Sequence, residues 1–319
     1  MNYRSIGKTG IKTSEVGAGT WAFASGAYGN VTDTDALETI RLALDSGITL
    51  FDTAPLYGNS EQDGISEEIL GRGLEADRNK VLISTKFGRR STQRAAPNFH
   101  AQGVCQSVED SLNRLATDHI DILFFHSPFS ADDIHDDIWA ALTDLKDQGK
   151  IRVIGHSISK FEDTQQMARD WAAERKIDVI QVVYSLMNRE SSNLIHDLGG
   201  QGIGIFARES LANGFLSGTI TRDTVFANNN LNKRYDRNEI NERVDYIENL
   251  SYLIRDPVKN MPQAALRWVL DNTNVSLVLS GAKNSAELKD AIAASDHSPF
   301  TDAEHKQANK IHPRDFQAA

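Results

Sequence analysis

Eight short, β-branched apolar runs recur along this chain at a fairly even beat, and they narrow its folding options more than any other feature. They are VGAGTW (16–21), ITLFDTA (48–54), VLISTKF (81–87), DILFFHS (121–127), VIGHS (153–157), VIQVVYS (179–185), GIGIFAR (202–208) and VSLVLSG (275–281). They do not alternate apolar with polar residues, so each has to be covered on both faces, as the strands of a parallel sheet are. Parallel strands need long crossovers, and the segments between the runs carry a helical period. In TDALETIRLALDSG, Leu37, Ile40, Leu44 and Ile48 fall near one face, Asp33 or Thr34 can cap the start, and Gly47 ends it. SVEDSLNRLATD, DDIWAALTDLKDQGK and DTQQMARDWAAERK repeat the design, and NSAELKDAIAA after the last run is helical with Asn284 or Ser285 as its cap.

Eight βα units in series, with no Pro/Gly/Ser-rich linker, predict a closed (β/α)8 TIM barrel in which residues 1–319 form one domain. The opening MNYRSIGKTGIKTSE reads as two short strands around KTG, a hairpin that caps one end of the barrel. A long insertion separates the seventh and eighth strands. Its first part, TRDTVFANNNLNKRYDRNE, is polar and Asn-rich and is expected to be a functional loop or lid. Two further helices follow it, in INERVDYIENLSYLIR and PQAALRWVLDN.

The formal net charge of −10 disfavours nucleic acid or an anionic membrane surface as a partner. The lone Cys105 leaves no internal disulfide framework and no multi-cysteine metal site. The start has no apolar leader-like region, and no apolar run reaches the length of about 18 residues that suggests a membrane span. The expected address is the cytoplasm and the expected partner a small molecule. Oligomeric state leaves no trace in the sequence.

In a barrel of this kind the chemistry sits at the C-terminal ends of the strands. The second run carries Asp52 near its end, the third Lys86 and the fourth His126, and Tyr57 follows in the loop after the second. Each alone has an ordinary structural explanation, as a turn cap, a rim phenol, a snorkelling lysine and a core histidine. Together they place strongly polar groups at the ends of three consecutive apolar strands, where burial without partners would cost several kcal/mol. Their joint chemistry is proton donation. A phenol titrates at about 10 in water, Lys86 can stabilise its phenolate, Asp52 can hold Lys86 charged, and His126 can add a hydrogen bond to a carbonyl oxygen. The set contains no reductant, so a hydride would have to come from a bound cofactor. A Schiff-base aldolase would use Lys86 instead as an amine nucleophile, which requires its charge to be suppressed.

FDTAPLYG followed by GISEEILG, together with STKFG, FFHSP, IRVIGHS and QVVYSLMNR, resembles the aldo-keto reductase family of NAD(P)H-dependent carbonyl reductases on a (β/α)8 barrel. The resemblance runs from SIGKTGIKTSEVGAGTW to the last βα unit. It implies that Asp52, Tyr57, Lys86 and His126 form a catalytic tetrad with Tyr57 as general acid. It further implies that Ser157 and Gln181 hold the nicotinamide carboxamide, with Ile158 standing where Asn is usual. By the same resemblance Arg208 stacks on the nicotinamide, and backbone N–H groups of Leu211 and Asn213 meet the pyrophosphate. Gly281 and Lys283 lie in the adenosine-phosphate segment SGAKNSAELKDA, where Lys283 matches the residue that meets a 2′-phosphate and so points to NADPH. Glu287 and Ala291 replace the usual Gln and Asn there, and a carboxylate beside the ribose would favour NADH.

Trp21, Phe23, Tyr28 and Phe87, with the 219–240 loop, are expected to line the substrate mouth, with core packing as the alternative for Phe87. The expected activity is reduction of an aldehyde or ketone, sugar-derived ones included, with NADPH, or NADH as the alternative. Two other readings stay open: an NAD-dependent sugar 1-dehydrogenase using Glu287, and a nucleotide-binding regulatory subunit with little turnover.

Overall fold

The computed structural model describes residues 1–24, 31–94, 96–228 and 230–316. The chain enters through an antiparallel hairpin, β1 (Tyr3–Ser5) and β2 (Lys12–Ser14). Each of the eight apolar runs then supplies one barrel strand, in most cases trimmed at one or both ends. These are β3 (Val16–Gly19), β4 (Leu50–Asp52), β5 (Leu82–Phe87), β6 (Ile120–His126), β7 (Ile151–Ser157), β8 (Val179–Val183), β9 (Gly204–Arg208) and β10 (Leu277–Ser280). All neighbours are parallel, and β10 closes the ring by pairing with both β9 and β3. Helices α1 (Asp33–Asp45), α2 (Ile65–Leu74), α3 (Ala101–Leu115), α4 (Ile138–Asp147), α5 (Phe161–Ala173) and α6 (Ser192–Gln201) occupy the first six crossovers. The insertion adds α7 (Arg237–Asn249) before the crossover helix α8 (Met261–Leu270), and α9 (Ser285–Asp296) and α10 (Asp302–Ile311) follow β10. Among the described residues, no helix is long and apolar enough to cross a membrane.

Side chains on a barrel strand alternate between interior and helix layer. Leu50, Ile122, Phe124, Val153, Val179, Phe206, Leu277 and Leu279 fill the interior, and Ile6 and Ile11 of the entry hairpin join the same cluster as a plug. Packing there is tight: a Cβ at Gly155 would fall 2.4 Å from the Phe124 ring, and one at Gly7 would fall 2.3 Å from the carbonyl of Gly202. A side chain at Gly155 would displace the buried Phe124 ring, and one at Gly7 would force backbone movement. Further along the inward rows the residues turn polar, at Asp52, Ser84, Lys86, His126, Ser157, Gln181 and Arg208. The barrel thus has an apolar plugged end and a polar mouth.

At α1 the structure moves the cap by one residue. Thr32, rather than Asp33 or Thr34, accepts from Asp35 N through its hydroxyl at 3.1 Å, while the Asp35 carboxylate accepts from Thr32 N at 3.3 Å. This reciprocal box satisfies two of the helix's otherwise open N–H groups. Ser46 is the C-cap, and Gly47 follows with φ +80°, the left-handed turn that glycine accommodates. The buried face is Ala36, Ile40 and Ala43, with Leu37 and Leu44 half-buried beside it.

His156, on the outward row of β7, is fully buried with its ring 4.9 Å from that of Trp171, and neither ring nitrogen has a partner among the described residues. Burial lowers its pKa to about 3. The unfolded imidazole titrates at about 6.5, so the unfolded state binds the extra proton first as pH falls. The native state is therefore favoured fully above about pH 6.5 and loses up to about 5 kcal/mol on the way down through the folded pKa. His156→Leu removes two unsatisfied atoms at similar volume. It should stabilise the protein by about 1–3 kcal/mol at neutral pH and reduce the loss on the acid side, as urea unfolding at pH 7 and pH 5 would show.

Candidate active site

Lys86 lies at the centre of the polar mouth and is 1% exposed. Its ammonium donates to Asp52 Oδ2 at 2.7 Å, to the carbonyl of Thr53 at 2.8 Å and to the Tyr57 hydroxyl oxygen at 3.1 Å. An ammonium has three donors, so all are committed. Asp52 Oδ1 accepts in turn from Ser84 Oγ at 2.7 Å and from Gln181 Nε2 at 2.9 Å, reaching across the barrel from β4 to β8. Burial opposes the charge on Lys86, but Asp52 and Tyr57 outweigh it and raise its pKa. A lysine held this way is a cation and not an amine nucleophile, which removes the Schiff-base reading.

Tyr57 follows β4 on a turn in which its N–H bonds to Ala54 O at 3.0 Å. Because its oxygen accepts from Lys86, its own proton is left to point elsewhere, and no acceptor takes it among the described residues. Burial raises the phenol's pKa more than Lys86 lowers it, so the group is protonated at neutral pH. His126 meets the Tyr57 ring edge-on at 6.0 Å. Burial, then the charges of Lys86, Arg89 and Arg208, push its pKa well below the ordinary value, and its Nδ1 is buried without a partner. The mouth therefore presents a protonated phenol and a neutral imidazole side by side. That pair can hold a carbonyl oxygen and deliver a proton to it.

The residues expected at the cofactor lie on the other side of the mouth. Ser157 Oγ donates to Gln181 Oε1 at 3.3 Å and lies 3.4 Å from Ser127 Oγ. Ile158 is buried, but its carbonyl accepts from Arg208 Nη2 at 2.8 Å, while Arg208 also pairs with Glu209. Arg208 Nε and the neighbouring Ser159 Oγ are buried without partners. The turn that follows, carrying Leu211 and Asn213, has positive φ at Glu209 (54°), Ala212 (48°) and Asn213 (54°), unfavourable for residues with a side chain. Backbone curled in this way forms anion-binding concavities. The insertion is fastened to it, since buried Asn232 donates to Asn213 O at 2.8 Å and Tyr235 packs on Phe215 at 5.7 Å.

Beyond β10, Gly281 is exposed, and a Cβ there would meet nothing within 4 Å. Asn284 caps α9 by accepting from Ala286 N and Glu287 N, each at 3.0 Å. Glu287 reaches back to Lys283, accepting from its backbone N at 3.0 Å and pairing with its ammonium at 3.2 Å. The orphaned polar atoms at 159 and 208 and the strained turn fit the nicotinamide and pyrophosphate ends of a dinucleotide, while at the start of α9 the Lys283 cation is already paired with Glu287.

The expected aromatic wall is only partly assembled. Trp21 is half-buried with its ring 6.4 Å from Tyr57. Phe87 is fully buried outside the barrel, 4.6 Å from Phe125 and 5.9 Å from Phe99, because Lys86 faces inward and the next side chain must face the helices. Phe23 is buried in the same outer core. Tyr28 lies outside the described residues. Sequence reasoning missed Ser84, although two residues before an inward lysine it had to face inward too.

The profile described as "Aldo/keto reductase family" matches residues 15–313. Aldo-keto reductase YhdN of Bacillus subtilis (strain 168) is 32% identical over 297 residues, covering 91% of this chain and 87% of that protein. NADH-specific methylglyoxal reductase of Escherichia coli (strain K12) is 31% identical over 309 residues, covering 91% and 92%. The solved structure of the glycerol dehydrogenase AKR11B4 from Gluconobacter oxydans superposes with a TM-score of 0.81 at 28% identity, covering 99% of this chain and 97% of that one. The chain belongs to the aldo/keto reductase family, and its activity is of the class that family defines, an oxidoreductase acting on carbonyl compounds with NAD(P)H.

Proposed function

We propose that this protein reduces a small aldehyde or ketone to the alcohol, with Tyr57 as the general acid, and that it accepts NADPH while discriminating only weakly against NADH. The observation that carries the reading is the three-way hydrogen bonding of Lys86, which ties a carboxylate to a phenol and leaves the phenolic proton pointing free of it. When bound, the cofactor supplies the hydride that reaches the carbonyl carbon. Tyr57 gives its proton to the carbonyl oxygen as negative charge develops there, and Lys86 stabilises the phenolate left behind. Asp52 keeps Lys86 charged and aimed, with Ser84 and Gln181 fixing the carboxylate. His126, neutral beside the phenol, donates a hydrogen bond to the same oxygen. An alkoxide is far more basic than a phenolate, so the transfer is downhill even with a raised Tyr57 pKa.

For the cofactor, Ser157 and Gln181 would orient a carboxamide, with the unpartnered Ser159 Oγ as the spare partner near the position where Asn is usual. Arg208 offers a guanidinium face, and the 209–214 turn offers backbone N–H groups to phosphate. At α9, a 2′-phosphate would have to part Lys283 from Glu287. Both are partly exposed, and such pairs contribute little, on the order of 1 kcal/mol or less. NADPH is therefore admitted, but the carboxylate that remains repels its phosphate and favours a free 2′-hydroxyl. Glu287→Gln should accordingly tighten NADPH binding several-fold relative to NADH, on the order of the 0.2–1 kcal/mol that one exposed charge contributes. Quenching titrations of both nucleotides would read this, and equal effects on the two would contradict the placement. The Lys283–Glu287 pair also keeps the NAD-dependent sugar dehydrogenase as the second reading. Oxidation of a panel of free sugars with NAD, compared with reduction of a matched aldehyde panel with NADPH, separates the two.

A further inference from the structure

The loop after β5 carries two arginines that the fold treats differently. Arg90 is paired, with Asp110 at 3.0 Å and Asp63 at 3.8 Å. Arg89 makes no ion pair or hydrogen bond among the described residues. Its Nε is buried without an acceptor, and its guanidinium lies 4.9 Å from the centre of the Phe129 ring. Lys160, on the loop after β7, sits 5.0 Å from that same ring, likewise with no carboxylate partner among the described residues. Phe129 is three residues past His126 and 40% exposed, so this cationic patch lies on the rim beside the proton-donating pair.

Two carboxylates on the neighbouring loops are engaged elsewhere, while Glu162 and Asp163, which follow Lys160, are exposed. Asp133 accepts from the N–H groups of Phe129 and Ser130, at 2.7 and 3.1 Å. Asp63 accepts from Ser91 Oγ and Thr92 N, both at 2.9 Å, besides facing Arg90. Burial, with repulsion from Arg94, lowers the pKa of Arg89, as expected of a cation lacking its counter-charge. On a chain with a net charge of −10, a half-buried cation without a counter-charge is open to an anionic ligand. The cofactor's phosphates are poor candidates. Their proposed turn follows β9, which lies diametrically across the closed barrel from β5.

We propose that the carbonyl substrate carries an anionic group, a carboxylate or a phosphate, which Arg89 receives at the rim with Lys160 beside it, while the carbonyl oxygen lies between Tyr57 and His126. The proposal rests on the reductase reading above. A planar guanidinium can take either anion in a two-pronged hydrogen bond, and Phe129 holds its face. The two anions are distinguished by which probe responds.

Two matched pairs test it: 4-carboxybenzaldehyde against its methyl ester, and glyceraldehyde 3-phosphate against glyceraldehyde, each assayed with NADPH. The wild-type protein should prefer the charged member of at least one pair by about tenfold or more in kcat/KM, mainly through KM, and added salt should shrink the preference. Arg89→Gln should bring that ratio to near one, and Arg89→Lys should restore part of it by keeping the charge without the fork. Ratios near one for both pairs in the wild type would overturn the proposal. So would an Arg89→Gln variant that loses activity equally on charged and uncharged members. Turnover of the uncharged aldehydes with no preference faults only the anion assignment, whereas no turnover of any of the four faults the reductase reading and this proposal with it.

Discussion

Tyr57→Phe should lower carbonyl reduction by about 10²–10⁴-fold or more while leaving nucleotide affinity nearly unchanged. The substitution keeps the ring that packs edge-on against His126 and near Trp21, and removes only the oxygen. Lys86 then retains two of its three acceptors, Asp52 and Thr53 O. What disappears is the single proton aimed out of the network. Steady-state rates with NADPH and an aldehyde, beside a nucleotide titration of the same variant, check the split. Equal loss of both would mean that Tyr57 shapes the nucleotide site instead of donating a proton.

Lys86→Met should be damaging in two ways that can be separated. It leaves Asp52, 3% exposed, as a buried carboxylate without its cation, which costs about 3–5 kcal/mol of stability. It also removes the charge that opposes the effect of burial on Tyr57, so the phenol becomes a still weaker acid. Adding Asp52→Asn should recover much of the stability, because a neutral amide no longer needs the ammonium, and should recover none of the turnover. Urea unfolding and kcat on the single and double variants measure both quantities. Activity returning together with stability would assign Lys86 a structural role only.

Much of this was legible before any coordinates. Strands apolar on both faces, with intervening helical periods, admit few closed solutions, and the barrel with its hairpin plug is one. Asp52, Lys86 and His126 stood out because they interrupt apolar strands at the same end, and Tyr57 because it follows one of them. Other readings failed on periodicity that was in principle available. Lys86 facing inward requires Phe87 to face outward and Ser84 to face inward, which decides for Phe87 between core and mouth and adds the serine to the site.

The Lys283–Glu287 pair also has a local signature, a four-residue spacing at a helix start. Contacts between loops that follow different strands left no such trace. The meeting of Arg89 with Phe129, the bond from Asn232 to Asn213 O, and the reach of Gln181 to Asp52 across the barrel depend on closure of the ring, and no sequence period encodes them.

The most direct test of the account is isotope transfer. NADPH carrying deuterium at both hydrogens of nicotinamide C4 is mixed with the protein and an aldehyde, and the product alcohol is examined by NMR. The account predicts deuterium on the carbinol carbon with the wild-type protein and almost none with Tyr57→Phe at equal nucleotide occupancy. Nucleotide binding with no label transferred to any aldehyde or ketone tested would contradict it and leave a nucleotide-sensing protein in its place.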